Sequence, residues 1–148
     1  MRILGESSMN DHNRNTEYLL KQLHTGTLDS YMKKDVPPPP FHEYIVRMCA
    51  ERNETRAHII KRAGINRTYG HQLFNGTRMP SRDKVIQLAF GFGLDLDQTQ
   101  ELLDVSRKGR LAPQVQRDAA ILYAVLHNFD IEQTQVLLES YGMQTLGM

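Results

Sequence analysis

Apolar residues recur with the spacing of α-helices through most of the chain that follows Phe41. In the first helical run they fall at i, i+3, i+4, i+7 and i+8, which is the pattern of one buried helix face. These positions are Phe41, Tyr44, Ile45, Met48 and Cys49. No stretch alternates apolar and polar residues with the period of two that a half-buried strand requires. The pattern therefore predicts an all-α fold.

Residues suited to helix ends divide the next part of the chain into three more helices. Thr55 and Asn66 each precede a helical run and are residue types that cap helix N-termini, and Pro80-Ser81 starts the fourth run. Gly64 and Gly76 follow the second and third runs, where a left-handed residue commonly ends a helix. Four helices are thus predicted between residues 41 and 93.

The chain then repeats itself. The stretch "RDKVIQLAFGFGLDLDQTQELL" (82–103) aligns without gaps to "RDAAILYAVLHNFDIEQTQVLL" (117–138), with ten of 22 positions identical and an offset of 35 residues. Asp95 and Asp130 each stand three residues before a glutamine, which is the signature of a capping box. The repeat predicts one helical hairpin used twice, with both copies packed into a single bundle.

The first 40 residues differ from the rest and form a predicted N-terminal extension. Residues 1–15 are polar and are expected to be irregular. Residues 16–35 predict one or two short helices interrupted at Gly26. The sequence "VPPPP" at 36–40 ends any helix and predicts a stiff, extended linker.

Charge is unevenly distributed along the chain. Residues 47–84 hold nine basic and three acidic side chains, a net charge of +6, whereas the segments before and after carry −1 and −4. A basic segment in an otherwise acidic chain is typical of a surface that binds a polyanion. An ordinary solvated basic face explains the charge equally well, so charge alone does not decide the function.

The second and third predicted helices, joined by a short turn, make a helix-turn-helix. Gly64 makes the turn, Ile65 is expected to enter the core, and Asn66 starts the next helix. On the stretches "TRAHIIKRAGINRTYGHQLFNGTRMPS" and "RDKVIQLAFGFGLD", residues 41–103 resemble the Cro/C1 repressor-type (XRE family) helix-turn-helix domain. The N-terminal extension and the second copy of the repeat lie outside this resemblance.

The resemblance implies a lambda-repressor-like bundle, with residues 41–93 as the DNA-binding domain and residues 94–148 as a C-terminal helical extension. It implies sequence-specific binding to double-stranded DNA, with the helix at about 66–74 in the major groove. The expected function is therefore repressor-like regulation of transcription. A homodimer that reads two half-sites is the expected assembly, and no cofactor is expected.

The resemblance also assigns roles to individual side chains. It places four residues of the third helix against base edges: Arg67, Thr68, His71 and Gln72. Positions near the phosphates are Arg56, Asn66, Asn75, Thr77 and Arg78, and the positive charges of Lys61 and Arg62 add to the attraction. Arginine can pair bidentately with guanine, and glutamine with adenine.

Two positions depart from the family pattern. Where the family prefers a small residue in the second helix, this chain has Ile60, and where it prefers a branched residue in the third helix, this chain has Gly70. These two positions face each other in the motif. We therefore expect the large and small partners to have been exchanged, which conserves the volume of the core. Tyr69, the neighbour of Gly70, is expected to be mainly structural.

Catalytic and metal-binding chemistry finds little support in the sequence. The stretch "HEYIV" at 42–46 lacks the second histidine of a zinc-protease helix, and the six histidines and Cys49 show no metal-ligand spacing. No apolar run reaches the length of a membrane span. A single cysteine, expected to be buried, is typical of a reducing compartment, so the protein is predicted to be a cytoplasmic non-enzyme without a metal.

A second function remains open from the sequence. The helix-turn-helix can serve as a scaffold without binding DNA, and the acidic C-terminal helices can then bind another protein. The apolar stretch "DAAILYAVLHNF" (118–129) suits either a dimer seam or a partner groove, although buried core explains it as well.

Overall fold

The structure is a computed structural model that describes residues 11–32 and 40–147. Within these ranges the chain forms nine α-helices and no strand, so the all-α prediction is confirmed. The helices are α1 (Asp11–Thr25), α2 (Leu28–Met32), α3 (Phe41–Glu51), α4 (Arg56–Arg62), α5 (Arg67–Asn75), α6 (Arg82–Phe92), α7 (Leu96–Val105), α8 (Gln116–Leu126) and α9 (Ile131–Ser140). Residues 1–10 of the predicted irregular segment and residues 36–39 of the predicted linker lie outside the described residues.

The described chain divides into two compact units, of which the first contains α1 and α2. Helix α1 begins at Asp11, so the prediction that residues 11–15 are irregular is wrong. These residues are polar, but none is proline or glycine, and extending an existing helix adds a hydrogen bond for each residue fixed. The break between the helices falls at Gly26, as predicted, and the Thr27 hydroxyl then accepts a hydrogen bond from the Ser30 amide at 3.1 Å.

The second unit begins at Pro40 and contains α3 to α9. Thr55 and Asn66 cap α4 and α5, as predicted, and Ser81 caps α6, which was predicted to start at Pro80-Ser81. Each side-chain oxygen accepts a hydrogen bond from the amide three residues later, at distances of 3.1 to 3.3 Å. These caps satisfy amides at the helix N-termini that have no partner within the helix.

One type of turn ends most of these helices. The amide of a residue with positive φ donates a hydrogen bond to the carbonyl of the residue three positions earlier. The amide of the following residue donates to the carbonyl of the residue five positions before it. This Schellman geometry satisfies carbonyls at the helix C-termini. It recurs at Asn53, Gly64, Gly93, Arg107, Asn128 and Gly142.

The two copies of the repeat form equivalent hairpins, α6–α7 and α8–α9. The bounds of α7 and α9 differ by 35 residues at both ends, and each helix starts with a complete capping box. The equivalence continues beyond the aligned residues. The side-chain amide of Gln100 exchanges two hydrogen bonds with the backbone of Leu111, at 2.9 and 2.8 Å, and Gln135 does the same with Leu146, at 2.9 and 2.7 Å. We therefore define the first copy as residues 82–111 and the second copy as residues 117–146.

A reciprocal pair of ion pairs joins the two copies. Arg82 of the first copy binds Asp118 of the second through two hydrogen bonds of 2.9 and 2.8 Å. Arg117 of the second copy binds Asp83 of the first through two hydrogen bonds of 3.0 and 2.9 Å. Each contact is thus repeated with the copies exchanged, which is the property of a two-fold interface. The two hairpins are related within one chain as the subunits of a symmetric dimer are.

The two carboxylates in these ion pairs, Asp83 and Asp118, lie in equivalent electrostatic environments. Burial raises the pKa of Asp83 and of Asp118, but the hydrogen bonds from the two arginines and from backbone amides outweigh it. Those amides belong to Gly147 and Ala112, again 35 residues apart, at 3.2 and 3.0 Å. The pKa of both carboxyl groups therefore lies below its ordinary value, and the ionised form is favoured.

A single hydrophobic core connects α3 to α9. Fully buried side chains come from both the helix-turn-helix segment and the two copies of the repeat, including Ile45, Ile59, Leu73, Phe74, Ile86, Leu88, Leu102, Ile121 and Leu138. Cys49 is also buried, as expected, and burial raises the pKa of its thiol. The α4–α5 segment therefore packs on the repeat through this shared core.

Candidate nucleic-acid interface

The turn between α4 and α5 is held from below by a buried glutamine. Gln87 of α6 is 1% exposed, and its side-chain nitrogen donates to the carbonyls of Ala63 and Gly64 at 3.2 and 3.3 Å. Its side-chain oxygen accepts from the Lys84 ammonium at 3.1 Å. The residue that makes the turn, Gly64, has a φ of 68°. Gln87 therefore fixes the angle at which α5 leaves α4, a role that no pattern in the sequence indicates.

Helices α4 and α5 approach each other closely at Ile60 and Gly70, the two positions expected to have exchanged sizes. A Cβ atom at Gly70 would lie 2.5 Å from Ile60 Cγ2 and 2.7 Å from Cγ1. Ordinary contacts between carbon atoms are about 3.5–4.0 Å. Ile60 therefore occupies the space that a side chain at position 70 would need, as the exchange requires.

The outer side of α5 carries the residues predicted to contact base edges. Arg67 and Thr68 are exposed, and His71 and Gln72 are half-buried. Gly70, Leu73 and Phe74 form the buried side of the same helix. Among the described residues, Arg67 has no ion-pair partner, so its five donors are available for a ligand.

Gln72 is not free, because Arg78 holds its side chain. The Nε atom of Arg78 donates to Gln72 Oε1 at 3.0 Å, and the backbone amide of Arg78 donates to the Gln72 carbonyl at 3.2 Å. The Arg78 guanidinium carbon lies 4.6 Å from the centre of the Tyr69 ring, and the Lys84 ammonium lies 5.2 Å from the same centre. Tyr69 thus serves as a platform for two cations. The spacing of these residues in the sequence gave no signal of this cluster.

The loop after α5 is folded on itself. Asn75 Oδ1 accepts hydrogen bonds from the Thr77 amide at 3.0 Å and from the Thr77 hydroxyl at 2.7 Å. Gly76, with a φ of 83°, ends the helix, and a Cβ there would lie 2.8 Å from His42 Nδ1 of α3. The side-chain nitrogen of Asn75 still has its donors available when its oxygen is engaged in this way.

The predicted phosphate contacts on α4 lie at its two ends. Arg56 is in the first turn, with its guanidinium carbon 5.8 Å from the centre of the Phe74 ring. Lys61 and Arg62 are in the last turn, roughly 9 Å further along the helix axis. Arg62 forms an ion pair with Glu54 at 2.8 Å, which reduces its attraction for a phosphate. Arg56 therefore lies close to α5, whereas the backbones of Lys61 and Arg62 lie at the opposite end of α4, from which the Arg62 guanidinium reaches back to Glu54 before the helix.

A second surface lies on the second copy of the repeat. A groove of about 550 Å³ is lined by apolar side chains of α8 and α9 that include Ala120, Tyr123 and Leu137. The equivalent residues of the first copy are Val85, Leu88 and Leu102, all fully buried, whereas Tyr123 is 49% exposed. Helix α4 packs on α6, while the equivalent face of α8 stays open.

Other kinds of site find no support in the described part of the chain. No group of three or more histidine, cysteine, aspartate or glutamate side chains is placed to hold a metal ion within residues 11–32 and 40–147. No helix in these ranges has both the length and the apolar character needed to cross a membrane.

Comparisons with protein-family models, with curated protein sequences and with solved structures found no match to this chain.

Proposed function

We propose that this protein binds double-stranded DNA in a sequence-specific manner and regulates transcription, as an XRE-type helix-turn-helix protein. The observation that carries the proposal is the polar outer side of α5, on which Arg67 has no ion-pair partner within residues 11–32 and 40–147, at the end of a turn fixed by Gln87. The net charge of +6 over residues 47–84 supports it, since a DNA surface attracts such a segment.

In this proposal α5 enters the major groove. An α-helix with its side chains is about 10–12 Å across, and the groove is about 12 Å wide, so the groove admits α5. Arg67 and Thr68 in the first turn, with His71 and Gln72 one turn later, meet base edges. Arg56, Arg78 and the folded Asn75–Thr77 loop contact phosphates, which position the helix but carry no sequence information.

The proposal includes a homodimer that reads two half-sites. The open groove around Tyr123 is the candidate seam, because its equivalent in the first copy is covered by other helices of the same chain. Sedimentation of the full-length protein tests this part, with Tyr123→Lys as the disrupting variant and Val136→Lys, an exposed position outside the groove lining, as the control. A dimer that only Tyr123→Lys dissociates supports the seam, and a monomeric wild-type protein rejects it.

Selection of bound oligonucleotides from a random library tests the DNA-binding function itself. The wild-type protein is expected to enrich a motif with two related half-sites. Arg67→Ala is expected to lose the preference at one base pair in each half-site, by about 1–3 kcal/mol. Arg110→Ala, which removes the same charge from a surface arginine paired with Asp104, is the control and leaves the motif unchanged. The absence of any enriched motif contradicts the proposal.

The alternative function is that of a protein-interaction adaptor, and the same groove on α8 and α9 favours it. In this alternative, the groove takes a helix of another protein and α5 is only part of a scaffold. The two functions differ in their behaviour toward DNA, because an adaptor has no affinity for random duplex at low salt. A monomer that binds no duplex DNA at low salt supports the adaptor.

A further inference from the structure

The contact between Arg78 and Gln72 changes which base Gln72 is able to recognise. A free glutamine pairs with adenine through two bonds, since its oxygen accepts from adenine N6 and its nitrogen donates to N7. Here the Gln72 oxygen already accepts from Arg78 Nε at 3.0 Å. An arginine can only donate hydrogen bonds, so the atom of Gln72 that faces it must be the oxygen.

The same contact fixes the direction of both side chains. Gln72 is half-buried, and Arg78 is held at its backbone amide, at its Nε atom and across the Tyr69 ring. With Nε engaged, the terminal nitrogens of Arg78 remain as donors, and the side-chain nitrogen of Gln72 is the free end of its amide. The pair therefore offers donors to a ligand, and a positive charge stands beside its one acceptor.

We propose that Gln72 and Arg78 act as one unit that selects guanine and disfavours adenine at the base pair facing Gln72, with Arg78 as the positioning residue. In the major groove, guanine presents two adjacent acceptors, O6 and N7, both of which can accept from the two N–H groups of the Gln72 side chain. Adenine presents one acceptor beside the N6 donor group, and that group would approach the Arg78 charge. This inference rests on the proposed DNA-binding function and specifies the base that it reads.

The test measures binding to four duplexes of a selected site. They differ only at the base pair that faces Gln72, and each carries one of the four possible base pairs there. The proteins are the full-length wild type, Arg78→Ala, Arg78→Lys and Gln72→Ala. The wild type is expected to bind the guanine duplex at least tenfold more tightly than the adenine duplex. Arg78→Ala frees the glutamine oxygen and is expected to reverse this order. Arg78→Lys keeps the charge but lacks the Nε donor, so it is expected to lose the guanine preference while keeping its salt dependence.

Modified bases sharpen the result. Hypoxanthine keeps the O6 and N7 acceptors of guanine and is expected to bind as guanine does, whereas 7-deazaguanine lacks N7 and is expected to weaken binding tenfold. Arg56→Ala is the matched control, because Arg56 contacts Phe74 rather than Gln72, and it should weaken all duplexes alike. Thermal melts show whether each variant is folded.

Three outcomes overturn the inference, and the first two leave the proposed function standing. If Arg78→Ala weakens all four duplexes by one factor, or if the wild type already prefers adenine, Arg78 does not position Gln72, although the protein still binds DNA. If the wild type binds none of the duplexes at 50 mM salt, the DNA-binding function itself fails, and the inference fails with it.

Discussion

Replacing Gly70 by valine places a side chain where α4 and α5 are closest. The Cβ atom alone would lie 2.5 Å from Ile60 Cγ2, about 1 Å inside a normal carbon contact, so either Ile60 or α5 must move. Overpacking of this kind costs about 1–3 kcal/mol, and the better helix propensity of valine offsets only a few tenths of this. Gly70→Val is therefore expected to destabilise the protein by about 1–3 kcal/mol.

The double variant shows whether the two positions share one volume. Ile60 is 2% exposed, and Ile60→Ala alone is expected to cost about 2–5 kcal/mol. Ile60→Ala removes three carbon atoms and Gly70→Val adds three, so the combination conserves volume and is expected to cost less than about 2 kcal/mol. The coupling between the two substitutions should then be at least roughly 1 kcal/mol in favour of the double variant.

Urea melts of the two single variants and the double variant, followed by circular dichroism, measure this coupling. Each 1 kcal/mol also shifts the melting temperature of a chain of this size by about 2–4 °C. Gly109→Val is the control, because a Cβ at Gly109 meets no atom within 4 Å. If the cost of the double variant equals the sum of the single costs to within about 0.5 kcal/mol, the exchange of large and small residues is refuted.

Four further predictions concern the contacts of the repeat and of α4. Asp118→Asn weakens the pair with Arg82 and should lower the free energy of unfolding by about 2–3 kcal/mol in urea melts at pH 7. An unchanged free energy of unfolding would contradict the stabilising role of the pair. Folding lowers the pKa values of Asp83 and Asp118, so their ion pairs stabilise the protein above about pH 4. This stabilisation is lost as the pH falls through the folded-state pKa values. The acid-induced loss of stability should therefore be smaller in Asp118→Asn than in the wild type. Gln135→Ala should lower the free energy of unfolding by about 1–2 kcal/mol and accelerate hydrogen exchange in the C-terminal segment. Unchanged exchange would contradict the role of the hydrogen bonds between Gln135 and Leu146. Arg56→Ala should lower the salt slope of DNA binding by about one unit, whereas an unchanged slope would remove it from the phosphate contacts.

Sequence patterns predicted the helices well where caps and apolar spacing coincide. Thr55, Asn66 and Ser81 have the expected roles, and the capping boxes of Asp95 and Asp130 form in both copies. The start of α1 was not predictable in this way, because its first residues are polar and show no periodicity. The full length of the repeat was not predictable either. Gln100 and Gln135 bind Leu111 and Leu146, and the segments that lead to these two leucines differ in sequence between the copies.

Interactions between side chains far apart in the chain were beyond the reach of the sequence. Arg82 and Asp83 are adjacent, and nothing in their spacing shows that each pairs with a residue of the other copy. Gln87 looks like a polar interruption of an apolar helix face, and only the position of the α4–α5 turn explains it. Gln72 was expected to read adenine as an isolated side chain, and the partner that engages its oxygen lies six residues later, beyond the end of α5.

Binding of the full-length protein to a random duplex, measured by fluorescence anisotropy at salt concentrations from 50 to 200 mM, tests the central claim most directly. If α5 and the basic residues around it form a DNA-binding surface, the wild type binds at low salt, and its affinity falls linearly with salt on logarithmic axes. Arg67→Ala and Arg56→Ala should each reduce this binding, while Arg110→Ala should not. If the wild type shows no binding at 50 mM salt, or if all three variants bind as the wild type does, the segment from 47 to 84 is only a solvated basic face and the DNA-binding function is contradicted.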